Sequence, residues 1–380
     1  MLILSVPICA NWIIDPFAQN WPRPLAWLSP DFGPFDREIR LNVLNHSRPT
    51  MLFLGNSRVQ HGFDPNVPAL SDYRVFNGAF VGGDPSEFLY FLKRAEPIDT
   101  LRHIIVGVDV NMLFEPPEAT FNEIMIVPKS GGPRVIDRFK VLTSYVTTWS
   151  SMKLMRSLFL GWQQYYDLNG HANDIVYQRE IINAGGDAAA MLGADTQLLK
   201  QLKPPDERFY DHLRELRDSA CGFNTTITVV LPPVHVRQLV LRSIVGSWGL
   251  FDTWKRKIVD LSAERPACPM QVWDFATHNS ITMSKISGPD AATPRTFWES
   301  THFTVYVGTL VLDRMFNVLP KDGMPLNFGG ILDHENIDER LMVERGLQQQ
   351  YEQSHPRELV ELTSLVRKVR PDLLSNENVH

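Results

Sequence analysis

Cysteine is scarce and long apolar runs are missing, and each shortage excludes a class of protein. Three cysteines in 380 residues, Cys9, Cys221 and Cys268, form no Cys-x-x-Cys pair and no Cys/His cluster, so there is no zinc-type spacing and no thioredoxin-like motif. Cys221 and Cys268 could pair in an oxidising compartment with Cys9 left over. Nothing in the spacing requires it, and three buried thiols is the preferred reading. Basic residues are in deficit too: 37 Lys and Arg stand against 43 Asp and Glu, a net charge of -6 with no long basic block. That balance gives no electrostatic footprint for nucleic acid. No internal repeat or low-complexity segment occurs.

What remains is a globular composition, 44% hydrophobic and 21% charged, long enough for one large α/β domain with insertions or two ordinary ones. The one apolar stretch at the start, Met1 to Ile14, is shorter than the roughly 20 residues that span a bilayer as a helix. No Lys or Arg precedes it, as a signal peptide would need. Three readings stay open: a buried strand or helix, a weak signal segment, or a membrane anchor whose true start lies upstream of Met1. The anchor is slightly favoured, because Asp15 to Pro30 is rich in Pro and Trp and reads as a membrane-proximal linker; residues 1–22 form this segment.

Five short apolar runs read as strands buried on both faces: Met51–Leu54, Tyr73–Phe76, His103–Val108, Thr226–Leu231 and Gln271–Phe275. Helical spacing separates the first three, as in Ser86–Arg94, where Phe88, Phe91 and Leu92 share a face. Alternating strands and helices predict a parallel sheet with helices on both sides, whose ligands gather at the carboxyl ends of the strands. Ser57 follows the first strand, Asn77 and Gly78 the second, Asp109 and Asn111 the third, so all share one sheet edge. The interval from about 113 to 221 interrupts the alternation. It holds Pro128–Pro133, helical patterns through Val141–Tyr166, a Gly/Ala-rich stretch at Ala184–Gly193 and an amphipathic helix at Arg208–Ser219. It reads as a mainly helical insertion able to wall the site. Tyr306–Phe316 reads as a helix packed on the sheet. Residues 321–380 read as a charged helical tail, with helices at Glu335–Gln350 and His355–Val369.

Two motifs carry candidate chemistry. Gly55-Asn56-Ser57-Arg58 places a serine on a tight turn after a buried strand, and Glu299-Ser300-Thr301-His302 places a carboxylate three residues before a histidine. Serine is a poor nucleophile at neutral pH until a histidine, itself oriented by a third group, takes its proton. Ser57, His302 and Glu299 supply that set. Glu299 could instead be a solvated surface acid, with Asp274 or no residue orienting the base. Arg58 reads equally as a contact for an acidic sugar or as a salt bridge to a nearby helix. His235 follows Pro232-Pro233 on the same sheet edge and is read as a cleft residue, while His61 is read as structural.

In this order the pieces resemble the SGNH hydrolase superfamily, in particular the membrane-associated or periplasmic SGNH-like proteins of bacterial polysaccharide and alginate O-acetylation. The resemblance runs from about Pro49 to Phe316 and implies a three-layer α/β/α, flavodoxin-like domain over residues 23–320. Gly-Asp-Ser of the family becomes Gly55-Asn56-Ser57, Asp-x-x-His becomes Glu299-Ser300-Thr301-His302, and Gly-x-Asn-Asp becomes Gly107-Val108-Asp109-Val110-Asn111. By resemblance, the Ser57 and Gly78 amides form the oxyanion hole, with the Asn77 or Asn111 side chain replacing the donor that Asp109 cannot be while ionised. Arg58, His235 and Asp109 are then the substrate-facing residues. The resemblance further implies a serine esterase or O-acyltransferase acting on an acylated polysaccharide, with no metal and no organic cofactor. It implies an extracytoplasmic location and an integral membrane acyltransferase as partner, with membrane association through the N-terminus. A catalytically decayed scaffold or carbohydrate-binding protein is the alternative, and separation of Ser57 from His302 would favour it.

Overall fold

Strands β1 (Met51–Leu54), β2 (Val75–Asn77), β3 (His103–Gly107), β4 (Thr226–Leu231), β5 (Met270–Asp274) and β6 (Gly330–Ile331) form one sheet in the order 2-1-3-4-5-6. The computed structural model describes residues 2–21, 35–95, 99–114, 135–161, 165–286, 294–319 and 323–374. The first five strands pair in parallel and β6 runs antiparallel to β5. The order 2-1-3-4-5 is that of a doubly wound, flavodoxin-like sheet.

Period-two alternation within each strand builds the two outer layers. Leu52, Leu54, Ile104, Val106, Val229 and Leu231 belong to a core shared with helices Pro85–Arg94, Arg208–Gly222 and Trp248–Ala263. Met51, Phe53, Ile105 and Val230 face the other way, toward helices Ser57–Gly62 and Val305–Met315. The architecture is therefore a three-layer α/β/α sandwich. Both faces of β1 are dry, which is why its sequence reads as a continuous apolar run rather than an alternation.

Strand boundaries differ from expectation by a residue or two. The second strand starts at Val75 because Tyr73 lies in the preceding turn, and the fifth begins one residue earlier, at Met270. The short β6 has no apolar run to announce it. Between β3 and β4 lie helices Val135–Thr143, Tyr145–Phe159, Asp174–Ala184 and Asp187–Gln201, and then Arg208–Gly222. The Gly/Ala-rich stretch is thus mostly helix, broken at Gly185 and Gly186, both at positive φ. The Pro128–Pro133 segment and the Pro22–Pro30 part of the linker lie outside the described residues. The tail forms helices Ile337–Ser354 and Pro356–Val369, as its charge pattern suggested.

The N-terminal apolar segment is a helix, Leu2–Ile14, and no described helix is long and apolar enough to cross a membrane. The preference for three buried thiols is overturned. Cys221 and Cys268 form a disulfide that ties the end of the Arg208–Gly222 helix to the loop before β5, and Cys9 is exposed. The two residues meet across a sequence separation of 47 that the spacing alone could not interpret.

Candidate active site

Glycine decides where the serine sits. At Gly55 a β-carbon would fall 2.4 Å from Cγ2 of Val59, and at Gly107 one would fall 2.1 Å from the same methyl. With both positions bare, Val59 seats over the ends of β1 and β3, and a helix can begin two residues beyond the strand. Asn56 caps it: its Oδ1 accepts from the Arg58 amide, while Oγ of Ser57 is left pointing at the cleft.

The histidine arrives from the opposite end of the chain. Helix Val305–Met315 crosses Ser57–Gly62 at a glycine-on-glycine contact between Gly308 and Gly62, and the loop in front of it carries His302. Nε2 of His302 lies 2.8 Å from Ser57 Oγ. Its Nδ1 bonds to Oε1 of Glu299, whose carboxylate also accepts from the His302 amide at 3.1 Å and the Thr301 amide at 2.6 Å. An ionised carboxylate only accepts, so Nδ1 carries the ring proton and Nε2 is the acceptor for the serine hydroxyl. Burial would push the Glu299 pKa up. The adjacent His302 imidazole, the Thr301 amide and the Arg58 charge outweigh it and hold the carboxyl below its ordinary value. Glu299 is therefore a buried acid bonded to the histidine, not a solvated one. Asp274 is elsewhere, paired with Lys255 at 2.7 Å and accepting from the Ala276 amide.

Under the serine lies a buried polar lattice. Asn56 Nδ2 donates to Asp109 Oδ2 (2.5 Å), Asn111 N donates to Asp109 Oδ1 (2.8 Å), and Arg58 Nε stands 3.7 Å from Asp109 Oδ2. Arg58 Nη2 donates to Gln238 Oε1, and Gln238 Nε2 donates to Thr301 Oγ1, which links the nucleophile's neighbour to the loop of the base. Ser300 is fastened from behind: its Oγ donates to Asp195, which pairs with Arg237, which pairs with Glu358 and Glu361 of the tail. The tail thus braces the loop without touching the cleft. Tyr177 lies 4.8 Å from the His302 ring and stacks on Trp298.

The cleft itself measures about 460 Å³. Ser57, His302, Asn111 and Arg58 lie on its sheet side, and Tyr177, Glu180, Ala190, Ala194 and Gln197 of the inserted helices form its wall. The insertion does wall the site.

Three expected site residues do not reach it. The Gly78 amide donates to the Phe53 carbonyl at 2.9 Å as part of the sheet, and Gly78 does not line the cleft. Asn77 is fully buried; its Nδ2 donates to the Val59 and Phe63 carbonyls and its Oδ1 accepts from Ala79 N, so it shapes the Ser57 helix from below. His235 caps helix Val236–Ile244, its Nδ1 accepting from Arg237 N and its Nε2 donating to Ser284 O. The stiff Pro-Pro exit turns the ring inward against Phe297 rather than toward the substrate.

The sequence signal missed at the second block was Val81-Gly82-Gly83. Gly82 lines the cleft at φ +66°, and no protein group bonds its amide among the described residues. Asn111 does reach the cleft. A guanidinium only donates, so the contact from Arg242 Nη2 fixes Asn111 Oδ1 toward it and leaves Nδ2 as the other end.

His61 is buried 6.5 Å from the His302 ring and packs edge-on to Tyr177. Burial, then the nearby His302, His171 and Arg40, depress its pKa well below 6.5, and burial also depresses that of His235. As pH falls through 6.5 the unfolded chain binds these protons and the native state does not, so stability is lost from that point downward. Each histidine contributes up to about 1.4 kcal/mol per pH unit between 6.5 and its folded pKa. Buried carboxyls with raised pKa, such as Asp195 and Asp274, act with the opposite sign. Thermal melts from pH 8 to 5 isolate the effect: His61→Asn is expected to show a shallower fall of Tm than wild type, and an unchanged slope would remove His61 from the account.

No protein-family model matches the sequence, and no curated protein matches it. A solved structure from Streptococcus pneumoniae, described provisionally as a platelet activating factor, superposes with a TM-score of 0.37 and 11% identity over 74% of this chain and 91% of its own. At that TM-score the likeness carries no argument about function.

Proposed function

We propose that this protein is a serine esterase or O-acyltransferase of the SGNH type, acting on acyl esters of an extracytoplasmic polysaccharide. The observation that carries the reading is the unbroken Ser57–His302–Glu299 hydrogen-bonded chain at the mouth of a cleft large enough for a sugar ring. Ser57 Oγ attacks the acyl carbonyl as His302 Nε2 takes its proton. Glu299 stabilises the imidazolium, which then returns the proton to the leaving alcohol. Water or an acceptor hydroxyl resolves the acyl-enzyme by the same steps in reverse, giving hydrolysis or transfer. The amides of Ser57 and Gly82, which no group bonds among the described residues, and the Nδ2 of Asn111 are the donors for the oxyanion. They replace Gly78 and Asn77 in that role. The alternative of a decayed scaffold called for Ser57 and His302 to stand apart, and the 2.8 Å contact counts against it.

Two of the three departures from the family's motifs, at Asn56 and Asp109, support this reading rather than weaken it. Where the family has Gly-Asp-Ser and Gly-x-Asn, this chain has Gly-Asn-Ser and Gly-x-Asp, and the exchanged side chains, Asn56 and Asp109, bond to each other. Amide and carboxylate have traded places across one hydrogen bond. Asn56→Asp would set two carboxylates together, and Asp109→Asn would leave Arg58 and Arg242 without their nearest anion. Each is expected to destabilise, and the double variant to recover about 1–3 kcal/mol of the summed loss as coupling energy. Strict additivity in urea unfolding would show that the two positions are independent.

The Cys221–Cys268 disulfide supports an extracytoplasmic site of action, since such bridges persist in oxidising compartments. The test of the function is covalent. A fluorophosphonate probe is expected to add once to the wild-type chain, on the peptide carrying Ser57, and not to Ser57→Ala; labelling elsewhere or none at all would refute the nucleophile.

A further inference from the structure

The polarity of the Tyr145–Phe159 helix is inverted. Its buried side chains are Thr147, Ser150, Ser151, Leu154 and Ser157, four small hydroxyl residues and one leucine. Outside, at i, i+4, i+7 and i+14, run Tyr145 (78% exposed), Trp149 (48%), Met152 (59%) and Phe159 (83%). Hydrophobic burial in water arranges a helix the other way round. The neighbouring Leu2–Ile14 helix, which packs against it, repeats the inversion. Its one strongly polar side chain, Asn11, faces inward, with Nδ2 donating to Leu142 O and Thr148 Oγ1, while Val6, Trp12 and Ile13 face out. Among the described residues nothing covers this surface.

We infer that this two-helix face docks in the headgroup–acyl boundary of an anionic lipid bilayer. Three features select lipid. The helix Leu2–Ile14 has no charged residue, and Tyr145–Phe159 has Lys153 and Arg156 but no Asp or Glu, so these two helices carry only positive charge. That complements an anionic surface. Trp, Tyr and Met are presented together with the basic side chains, whose stems let the charge reach headgroups while the rings sink below them. Thirdly, at 1.5 Å per residue the 15-residue Tyr145–Phe159 helix is about 22 Å long, too short for a hydrocarbon core of about 30 Å but suited to lying in one interface. The cleft and its serine do not enter this argument, so the docking face stands or falls apart from the proposed catalysis.

Vesicle flotation tests it, with the full chain, phosphatidylcholine vesicles, and vesicles in which about a third of the lipid is phosphatidylglycerol. Wild type is expected to float with the anionic vesicles, less with the neutral ones and less at high salt, with a blue shift of tryptophan emission. Trp149→Glu/Phe159→Glu changes only exposed positions, so it is expected to keep the wild-type Tm while its partition coefficient falls about tenfold or more. Met342→Glu, on an exposed position of the tail helix, is expected to bind as wild type does. Wild type failing to float with either vesicle, or the double variant floating equally well, would overturn the inference. So would a detergent-free dimer that the double variant dissolves without any vesicle binding, which would make the face a protein contact.

Discussion

Ser57→Ala is expected to lower kcat/KM for p-nitrophenyl acetate by about 10⁴-fold or more, close to the rate of the buffer, with the fold and Tm unchanged. The size follows from what the hydroxyl does alone: among the described residues lining the cleft, no other nucleophile is activated by a histidine. His302→Asn is expected to cost nearly as much, because without an acceptor at 2.8 Å the serine stays protonated at neutral pH. The two losses overlap, so the double variant is expected to be scarcely worse than either single one. Glu299→Gln keeps the size of the acid but removes its charge. Its amide can still accept from Nδ1 only if its oxygen faces the ring, and it cannot stabilise the imidazolium, so kcat should fall about 10²- to 10⁴-fold with KM little changed. A shallow loss at Ser57 with a deep loss at His302 would point instead to a histidine acting directly on water. Equal turnover in wild type and all three variants would leave the cleft a binding site.

Much of this machine was legible in the sequence, and the residues show why. Ser57 could be found because a strand buried on both faces ends in a glycine that no side chain can replace, and that combination of apolar run, Gly and Ser is local. Glu299 and His302 could be found because their bond is local too, at i and i+3. Their meeting with Ser57 across 245 residues was not readable from either motif and rested on the predicted sheet edge. Gly78 misled for a physical reason: the resemblance made its amide an oxyanion donor, but the ladder continues one residue past β2 and engages that amide with Phe53. The glycine that reaches the cleft comes four residues later, after a turn whose length no periodicity announces. His235 misled similarly, since proximity to a strand end does not say which way a ring turns. The bracing by Asp195, Arg237, Glu358 and Glu361 was invisible because it joins four helices and loops that are remote in sequence.

Gly308→Ala is expected to be the most damaging change outside the chemistry, from a single methyl group. A β-carbon at Gly308 would stand 1.7 Å from the Gly62 carbonyl oxygen, well inside van der Waals contact, and both partners are helix backbone that cannot rotate away. Helix Val305–Met315 must therefore move off the Ser57–Gly62 helix. A shift of that kind sits at the upper end of overpacking costs, about 3 kcal/mol. The moving helix carries the His302 loop at its start, and a displacement of about 1 Å between nucleophile and base costs on the order of 10²-fold in rate. Gly62 is doubly engaged, since a β-carbon there would strike the Phe303 ring at 1.9 Å, so the neighbour has no slack in which to absorb the strain. Gly346→Ala is the control. That residue lies in mid-helix with nothing within 4 Å, and there the same methyl should raise stability by about 0.5–1 kcal/mol by reducing the freedom of the unfolded chain. Opposite signs for the two substitutions in urea unfolding, with activity lost only in Gly308→Ala, would establish the glycine crossing as what holds base to nucleophile. If Gly308→Ala kept wild-type Tm and turnover, the helices would have to be separated by more than this structure has them, and the positioning of His302 would need another cause.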